Sequence, residues 1–293
     1  MQSLSKYILL ILVFIFTTNI VRSQSTVYAK EDFDFALYLL GNNMKEEALT
    51  LINNPNTSYF DLKHTKDSVN YLKGWTYYSS KELEKASFFF DSVSKESSLY
   101  PKSIFFNSLS NAHIGNYSKA DHILKSFSDT NTTFKELYHY ESAGLALIER
   151  DYEKYKYHSQ NFTYQDFRLV EQEQELKNIY NQLKTHKNKS PWIAAIASAI
   201  VPGLGKVYAG SYGEGVSSFL LIGSLGAVTA ENWVKNGLLN WKTLVFGTIG
   251  AVFYIGNIYG SVTSVKIYYE DFNNQQNITI LYNIHIPLRT IFN

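Results

Sequence analysis

The sequence contains no cysteine and carries almost no net charge. Without cysteine, the 293 residues form no disulfide bonds, thiolate zinc sites or cysteine nucleophiles. The 27 Lys and Arg are balanced by 26 Asp and Glu, which gives a formal net charge of +1. A nucleic-acid surface needs a basic excess. The composition therefore argues against nucleic acid as a partner.

Recognised catalytic and ligand-binding patterns are also missing. The seven histidines make no metal-binding spacing. Gly203 to Lys206 fails the spacing of a phosphate loop and is followed by Val207 rather than Ser or Thr. Ser211 lies in a string that resembles a nucleophile elbow, but no strand pattern precedes it. We therefore expect no enzyme, no metal and no cofactor, and we identify no small-molecule substrate.

Residues 1–23 have the pattern of a secretory signal peptide. Lys6 supplies the positive charge, the run from Tyr7 to Val21 is mostly apolar, and cleavage before Gln24 is expected. An uncleaved membrane anchor is the alternative, since it would have the same apolar length. Export by the signal peptide would put the following residues outside the cytoplasm.

Residues 24–165 carry a helical pattern that repeats. Equivalent positions recur at Ala48, Ala86, Ala120 and Tyr155, in steps of 38, 34 and 35 residues. This period is typical of arrays of helical pairs. Small residues let two helices approach closely, and a large residue fills the gap against the next pair. The sequence therefore predicts about four all-α units.

The two middle units resemble the tetratricopeptide repeat family. In the second unit Gly74 and Ala86 take the small positions and Phe90 the large one; the third contains Gly115-Asn-Tyr117 and Ala120. The fourth unit departs from the family at Tyr155, and the conventional Trp and Pro positions are mostly absent. The resemblance implies an α-solenoid whose concave surface binds extended or helical peptides. The predicted partner groove contains Tyr77, Tyr78, Asn111 and Tyr140.

Residues 166–189 form a predicted polar helix. Its early residues are acidic and its late residues are basic, which complements the helix dipole: Glu171, Glu173 and Glu175, then Lys184, Lys187 and Lys189. Such a helix caps a repeat array or forms a stalk to a membrane, and both interpretations remain open.

Residues 190–269 form a predicted membrane domain. Three uncharged runs of 16, 16 and 23 residues cover Ser190–Gly205, Gly215–Ala230 and Thr243–Val265. The third is long enough to cross a bilayer about 30 Å thick. The first is broken at Pro202, which ends a helix. A re-entrant helix and three complete spans are therefore both consistent with the sequence.

The break resembles the core of bacterial two-transmembrane (TM2-type) domains. The shared string is Pro202-Gly-Leu-Gly-Lys-Val-Tyr-Ala-Gly210, and Lys206 stands where that family usually has Gln. The resemblance implies a membrane location and no activity. We expect the turn to depend on Pro202, Gly203, Gly205, Tyr208 and Gly210.

Two glycines in the third run have a spacing that favours close helix packing. Gly256 and Gly260 form a small-xxx-small pattern, and the polar Asn257 beside Gly256 is expected to hydrogen-bond to a neighbouring helix. After this domain, residues 270–293 form a short tail. Ile280, Tyr282, Ile284 and Ile286 alternate there, which predicts a short strand.

The sequence thus predicts an all-α protein with a tetratricopeptide-like α-solenoid followed by a C-terminal helical transmembrane domain. The expected function is a membrane-anchored scaffold that binds a protein partner; the alternative is a component of a channel, transporter or insertion machinery. We expect the inner membrane, with the repeats in the periplasm. Lys184, Lys187 and Lys189 favour the cytoplasm, but a large folded domain translocates largely regardless of local charge.

Overall fold

The computed structural model describes residues 34–53, 63–128 and 131–292. All regular secondary structure in these ranges is helical, which confirms the all-α prediction for this part of the chain. The predicted signal peptide, residues 1–23, lies outside the described residues.

Thirteen helices follow one another in the described ranges. They are α1 (34–41), α2 (Lys45–Ile52), α3 (Lys63–Ser79), α4 (Leu83–Asp91), α5 (Tyr100–His113), α6 (Tyr117–Lys125), α7 (Thr132–Ile148), α8 (Tyr152–Ser159), α9 (Val170–Thr185), α10 (Pro191–Ile200), α11 (Leu204–Ala209), α12 (Tyr212–Asn236) and α13 (Trp241–Phe292). Helix α9 is shorter than the predicted 166–189, and its buried Leu176 and Ile179 give it an apolar side.

The chain divides into two compact units. The first contains the described residues up to Lys177 together with 280–292, and the second contains Asn178–Thr279. The first unit therefore combines the helical pairs with the end of the chain. We call residues 280–292 the tail helix.

The first eight helices form four pairs that share one type of turn. In the third pair, the Asn116 N–H donates to the Asn111 carbonyl (2.9 Å) and the Gly115 N–H donates to the Ala112 carbonyl (3.1 Å). This pattern is a Schellman motif, and it places Gly115 in the left-handed region with φ of 84°. The other three turns have the same two hydrogen bonds and a left-handed residue at Asn43, Lys81 and Arg150.

The positions predicted to be small lie five residues after each left-handed residue. Ala48, Ala86 and Ala120 are fully buried, and Tyr155 takes the equivalent buried position in the fourth pair. A Cβ on Gly74 would lie 2.6 Å from the Phe90 ring. The predicted small-against-large contact of the second pair is therefore present.

The tail is helical, so the predicted strand is wrong. Ile280, Ile284 and Leu288 are fully buried and are spaced four residues apart, while Tyr282 is exposed. Both a strand of period two and a helix of period 3.6 bring Ile280 and Ile284 to one face. Because α13 continues without a break from residue 241 to residue 292, the helical alternative applies.

We predict that Gly115→Ala destabilises the protein by about 1 kcal/mol. A Cβ costs about 1–2 kcal/mol in the left-handed region, and the stiffer unfolded chain offsets part of that cost. Nothing lies within 4 Å of the added Cβ, so the effect is conformational. Thermal unfolding of the full-length protein in detergent measures it.

Lys81→Ala is the matched control, because Lys81 already carries a Cβ in the same conformation, with φ of 64°. We expect its stability to change by less than about 0.5 kcal/mol. Equal losses in the two variants would contradict the conformational explanation.

Candidate binding groove and membrane turn

The tail helix packs on the first helices of three pairs. Gly144 on α7 lies against Ile284 so closely that a Cβ there would overlap the Ile284 side chain. Tyr78 on α3 meets His285 edge-to-face, with ring centroids 5.8 Å apart. Phe106 on α5 contacts Phe292 at 6.4 Å. We call this face of α3, α5 and α7 the tail groove.

The end of the tail helix is held by an aromatic cluster and a hydrogen bond. The Phe292 ring lies 5.8 Å from Phe105 and 5.5 Å from Phe134, measured between centroids. The Lys102 ammonium donates to the Phe292 carbonyl at 2.6 Å. This bond satisfies one of the carbonyls that a helix C-terminus leaves without an intrahelical partner. The last turn is therefore fixed by apolar and polar contacts together.

Of the four predicted groove residues, Tyr78 contacts the tail helix through the His285 ring. Tyr77 stacks on Phe89 of its own pair at 5.4 Å. Asn111 is fully buried and donates to Ser87 Oγ at 2.9 Å, so its amide packs inside the array. Tyr140 is also fully buried, and its ring lies 6.0 Å from Phe162.

Sequence reasoning missed Trp75, Phe106 and Gly144 as groove residues. Trp75 packs edge-to-face on Phe106 at 5.0 Å and so connects α3 to α5. A signal was available in the tail itself, where Ile280, Ile284, Leu288 and Phe292 recur every fourth residue. That spacing marks one face of a helix.

A buried carboxyl group lies on the same side of α7 as Gly144. Glu141 precedes Gly144 by three residues, which places both on one helix face. Glu141 is 1% exposed, and its Oε1 has no hydrogen-bond partner among the described residues. Burial raises the pKa of Glu141 well above its usual range, because it disfavours the charged form of the carboxyl group.

In the second unit, Asn257 holds the turn at Pro202-Gly203. Its Oδ1 accepts the Gly203 N–H at 3.1 Å, and its Nδ2 donates to the Ser198 carbonyl at 3.4 Å. Ser198 Oγ also accepts the Gly205 N–H at 2.9 Å. These bonds satisfy backbone groups that the break between α10 and α11 leaves without partners. Asn257 thus hydrogen-bonds across helices, as its position predicts.

The other predicted turn residues fix the ends of α11. Gly203 and Gly210, with φ of 86° and 104°, flank this helix in the left-handed region that glycine favours. The Tyr208 hydroxyl accepts the Ser190 N–H at 3.0 Å, and Lys189 Nζ donates to the Ala209 carbonyl at 3.0 Å. The turn therefore ties the start of α10 to the end of α11.

Close backbone contacts occur at different glycines from the predicted pair. A Cβ on Gly205 would overlap the Ala194 carbonyl, and one on Gly203 would overlap the Gly215 carbonyl. A Cβ on Gly256 would meet nothing within 4 Å, and one on Gly260 would meet only the Lys206 side chain. Small residues thus let α10, α11 and α12 approach one another in this chain.

Helices α12 and α13 are long and apolar enough to cross a membrane. Their most apolar 18-residue windows are only 6% and 11% buried, so their apolar side chains are not covered by the described residues. Helix α10 has 10 residues and is about 15 Å long, half the thickness of a bilayer core. Residues 190–269 as described thus contain the start of two candidate spans, α12 and α13, rather than three.

Comparisons with protein-family models, with curated proteins and with solved structures find no match to this chain. Among the described residues, no three His, Asp or Glu side chains are grouped so that they could hold a metal ion. The candidate sites are the tail groove and the turn from Val201 to Gly203 between α10 and α11, which we call the membrane turn.

We predict that Gly205→Ala destabilises the detergent-solubilised protein by about 2 kcal/mol or more, because the new methyl group overlaps a backbone carbonyl that cannot rotate away. Gly256→Ala is the matched control, since its methyl group enters open space. Its stability should stay the same or rise slightly through better helix propensity. Thermal unfolding measures the stability of the two variants. Equal stabilities would contradict the close contact between Gly205 and the Ala194 carbonyl.

Proposed function

We propose that the protein is a membrane-anchored scaffold whose tetratricopeptide-like α-solenoid binds an amphipathic helix of a protein partner in the tail groove. The observation that carries this proposal is the tail helix itself. Ile280, Ile284 and Leu288 of the tail helix are completely buried, and Gly144 on α7 lies against Ile280 and Ile284. A surface that accepts a helix in this way uses the helix-in-groove mode of recognition.

The anchors of the tail helix define the kind of partner. Three aliphatic residues lie at four-residue spacing, and Phe292 follows in the aromatic cluster. Gly144 leaves room for a branched side chain at the position of Ile284. The expected partner helix therefore has aliphatic residues at i, i+4 and i+8 and an aromatic residue at i+12.

The bound tail helix must be displaced before a partner enters. Glu141 makes this exchange less costly, because its buried carboxyl Oε1 lacks a hydrogen-bond partner among the described residues. An unsatisfied buried polar group costs about 1–3 kcal/mol. A partner helix that donates a hydrogen bond to Glu141 would recover that free energy and compete with the tail.

The packing of the tail supports a membrane hairpin. Residues 280–292 share a compact unit with the helical pairs, which supports an even number of membrane crossings in the chain between them. The candidate spans α12 and α13 give two crossings. The short α10 and the break at Pro202 then form a re-entrant segment, whose irregular backbone is satisfied by Asn257.

The proposed location is the inner membrane, with the helical pairs and the tail in the periplasm. Export by residues 1–23 supports this orientation. Lys235 and Lys242 flank the connection between α12 and α13, and the positive-inside rule favours the cytoplasm for that connection. Both arguments support a position of the first unit on the outer side.

No specific observation favours the alternative of a channel or transporter. The second unit buries five polar side chains, and each of them hydrogen-bonds within the unit: Ser198, Thr243, Asn257, Ser261 and Ser264. Lys206 lies 3.7 Å from Glu214, its salt-bridge partner. These groups have structural partners, so they do not indicate a polar pathway.

We predict that Ile284→Asp releases the tail helix and lets a peptide of residues 278–292 bind the full-length protein in detergent. An aspartate at a fully buried position costs several kcal/mol unless it leaves the groove. Fluorescence anisotropy of the labelled peptide measures binding. The wild-type protein should bind at least ~10-fold more weakly, because its own tail competes at a high effective concentration.

Tyr282→Asp is the control on the same helix. Tyr282 is 65% exposed, so the charge of the new aspartate stays in water. This variant should behave like the wild type. Circular dichroism checks that the Ile284→Asp protein remains helical. If that helical protein fails to bind the peptide, or binds a peptide carrying the same Ile284→Asp change equally well, the groove does not recognise a helix in this way.

The hairpin topology makes a separate prediction for tags accessible to protease. Tags inserted near Asn131 and after Asn293 should be digested together once the outer membrane is permeabilised. A tag inserted between α12 and α13, near Leu238, should be digested only after the inner membrane is lysed. Digestion of the first two tags under different conditions would mean an odd number of crossings.

A further inference from the structure

A cleft of about 620 Å³ lies beside the tail groove within the first unit. The residues that matter to its chemistry are Trp75, Tyr78, Lys81, His113, His285 and Arg289. Clefts of about 300–1,000 Å³ are the usual size for small-molecule sites. The first four residues belong to the helical pairs and the last two to the tail helix, so the cleft exists only while the tail is bound.

The cleft has basic groups and no acidic group in its lining. Among the described residues, no acidic side chain forms an ion pair with Lys81 or Arg289. Burial lowers the pKa of His285, and Arg289 and His113 lower it further. Burial also lowers the pKa of His113. Additional positive charge in the cleft is therefore unfavourable, and a bound anion would reduce the repulsion among its basic groups.

The nearby carboxyl group of Glu141 lies outside the cleft lining. Burial raises the pKa of Glu141 well above its usual range, which favours the neutral form of its carboxyl group. The lining itself therefore supplies no counter-charge for Lys81 and Arg289.

Aromatic rings form the apolar wall of the cleft. Trp75 and Tyr78 are stacked, with centroids 5.7 Å apart and 22° between their planes. Tyr78 also meets the His285 ring edge-to-face. Flat aromatic surfaces favour a flat apolar ligand group, which stacks or packs against them.

We propose that this cleft binds a small organic anion that carries a carboxylate or phosphate on a flat apolar body. Lys81 and Arg289 bind the charged group, and Trp75 and Tyr78 contact the apolar body. The site goes beyond the proposed partner binding, since it needs the bound tail rather than a partner. A ligand that requires His285 and Arg289 in place stabilises the bound tail helix.

The experiment is isothermal titration calorimetry of the full-length protein in detergent at low ionic strength. The probes are benzoate and phenyl phosphate, which distinguish carboxylate from phosphate. Phenol tests the need for charge, and inorganic phosphate tests the need for an apolar body. We expect at least one of the two aromatic anions to bind at least ~10-fold more tightly than phenol and inorganic phosphate. The reason is that only the aromatic anions combine a charge-assisted hydrogen bond with apolar contact.

Arg289→Gln and Lys81→Gln should each weaken the tighter aromatic anion by about 10-fold. Both residues are exposed, so the substitutions should leave the fold intact. Lys85→Gln is the matched control, because Lys85 is an exposed lysine that pairs with Glu82 outside the cleft lining. It should bind like the wild type.

Three results would overturn the proposal. The first is no binding of benzoate or phenyl phosphate at millimolar concentration. The second is equal affinity for phenol or for inorganic phosphate. The third is equal affinity in Arg289→Gln and Lys85→Gln. The peptide experiment with Ile284→Asp is independent of these titrations, so failure of the anion site and failure of the helix groove are distinguishable.

Discussion

The packing of the tail helix against α3, α5 and α7 is the interaction on which the organisation of the chain depends. Burying the three aliphatic anchors, Ile280, Ile284 and Leu288, contributes about 1.5–3 kcal/mol each. The closure of a long intervening segment opposes this gain, but that cost grows only slowly with length. The chain can therefore bring its end back to the helical pairs.

The helical pairs could be predicted from the sequence because their causes are local. A left-handed residue and two hydrogen bonds end the first helix of every pair, and Gly115 suits that turn without strain. Ala86 and Ala120 then follow at a fixed distance. Groove residues could not be assigned in the same way. Tyr78 and Asn111 look alike as polar residues of first helices, and only tertiary packing makes one a contact of the tail and buries the other.

The membrane turn shows the same limit. Proline and glycine at 202 and 203 predict a break from residue type alone. Which glycines permit close packing depends on how the chain folds back, and this brings Gly203 onto Gly215 and Gly205 onto Ala194. Gly256 has the more familiar spacing, yet it faces open space. Spacing identifies a helix face, and the neighbour of that face is a long-range property.

The two proposed binding events are coupled through the tail helix. Because the anion cleft includes His285 and Arg289, it is complete only when the tail occupies its groove. A partner helix needs the same groove empty. Ligands that select opposite states oppose one another, and the coupling is reciprocal. An anion at a hundred times its dissociation constant would stabilise the bound tail by about 2.7 kcal/mol and weaken partner binding by roughly 100-fold. The scaffold would then release its partner as the anion accumulates, with no change in the helical pairs themselves.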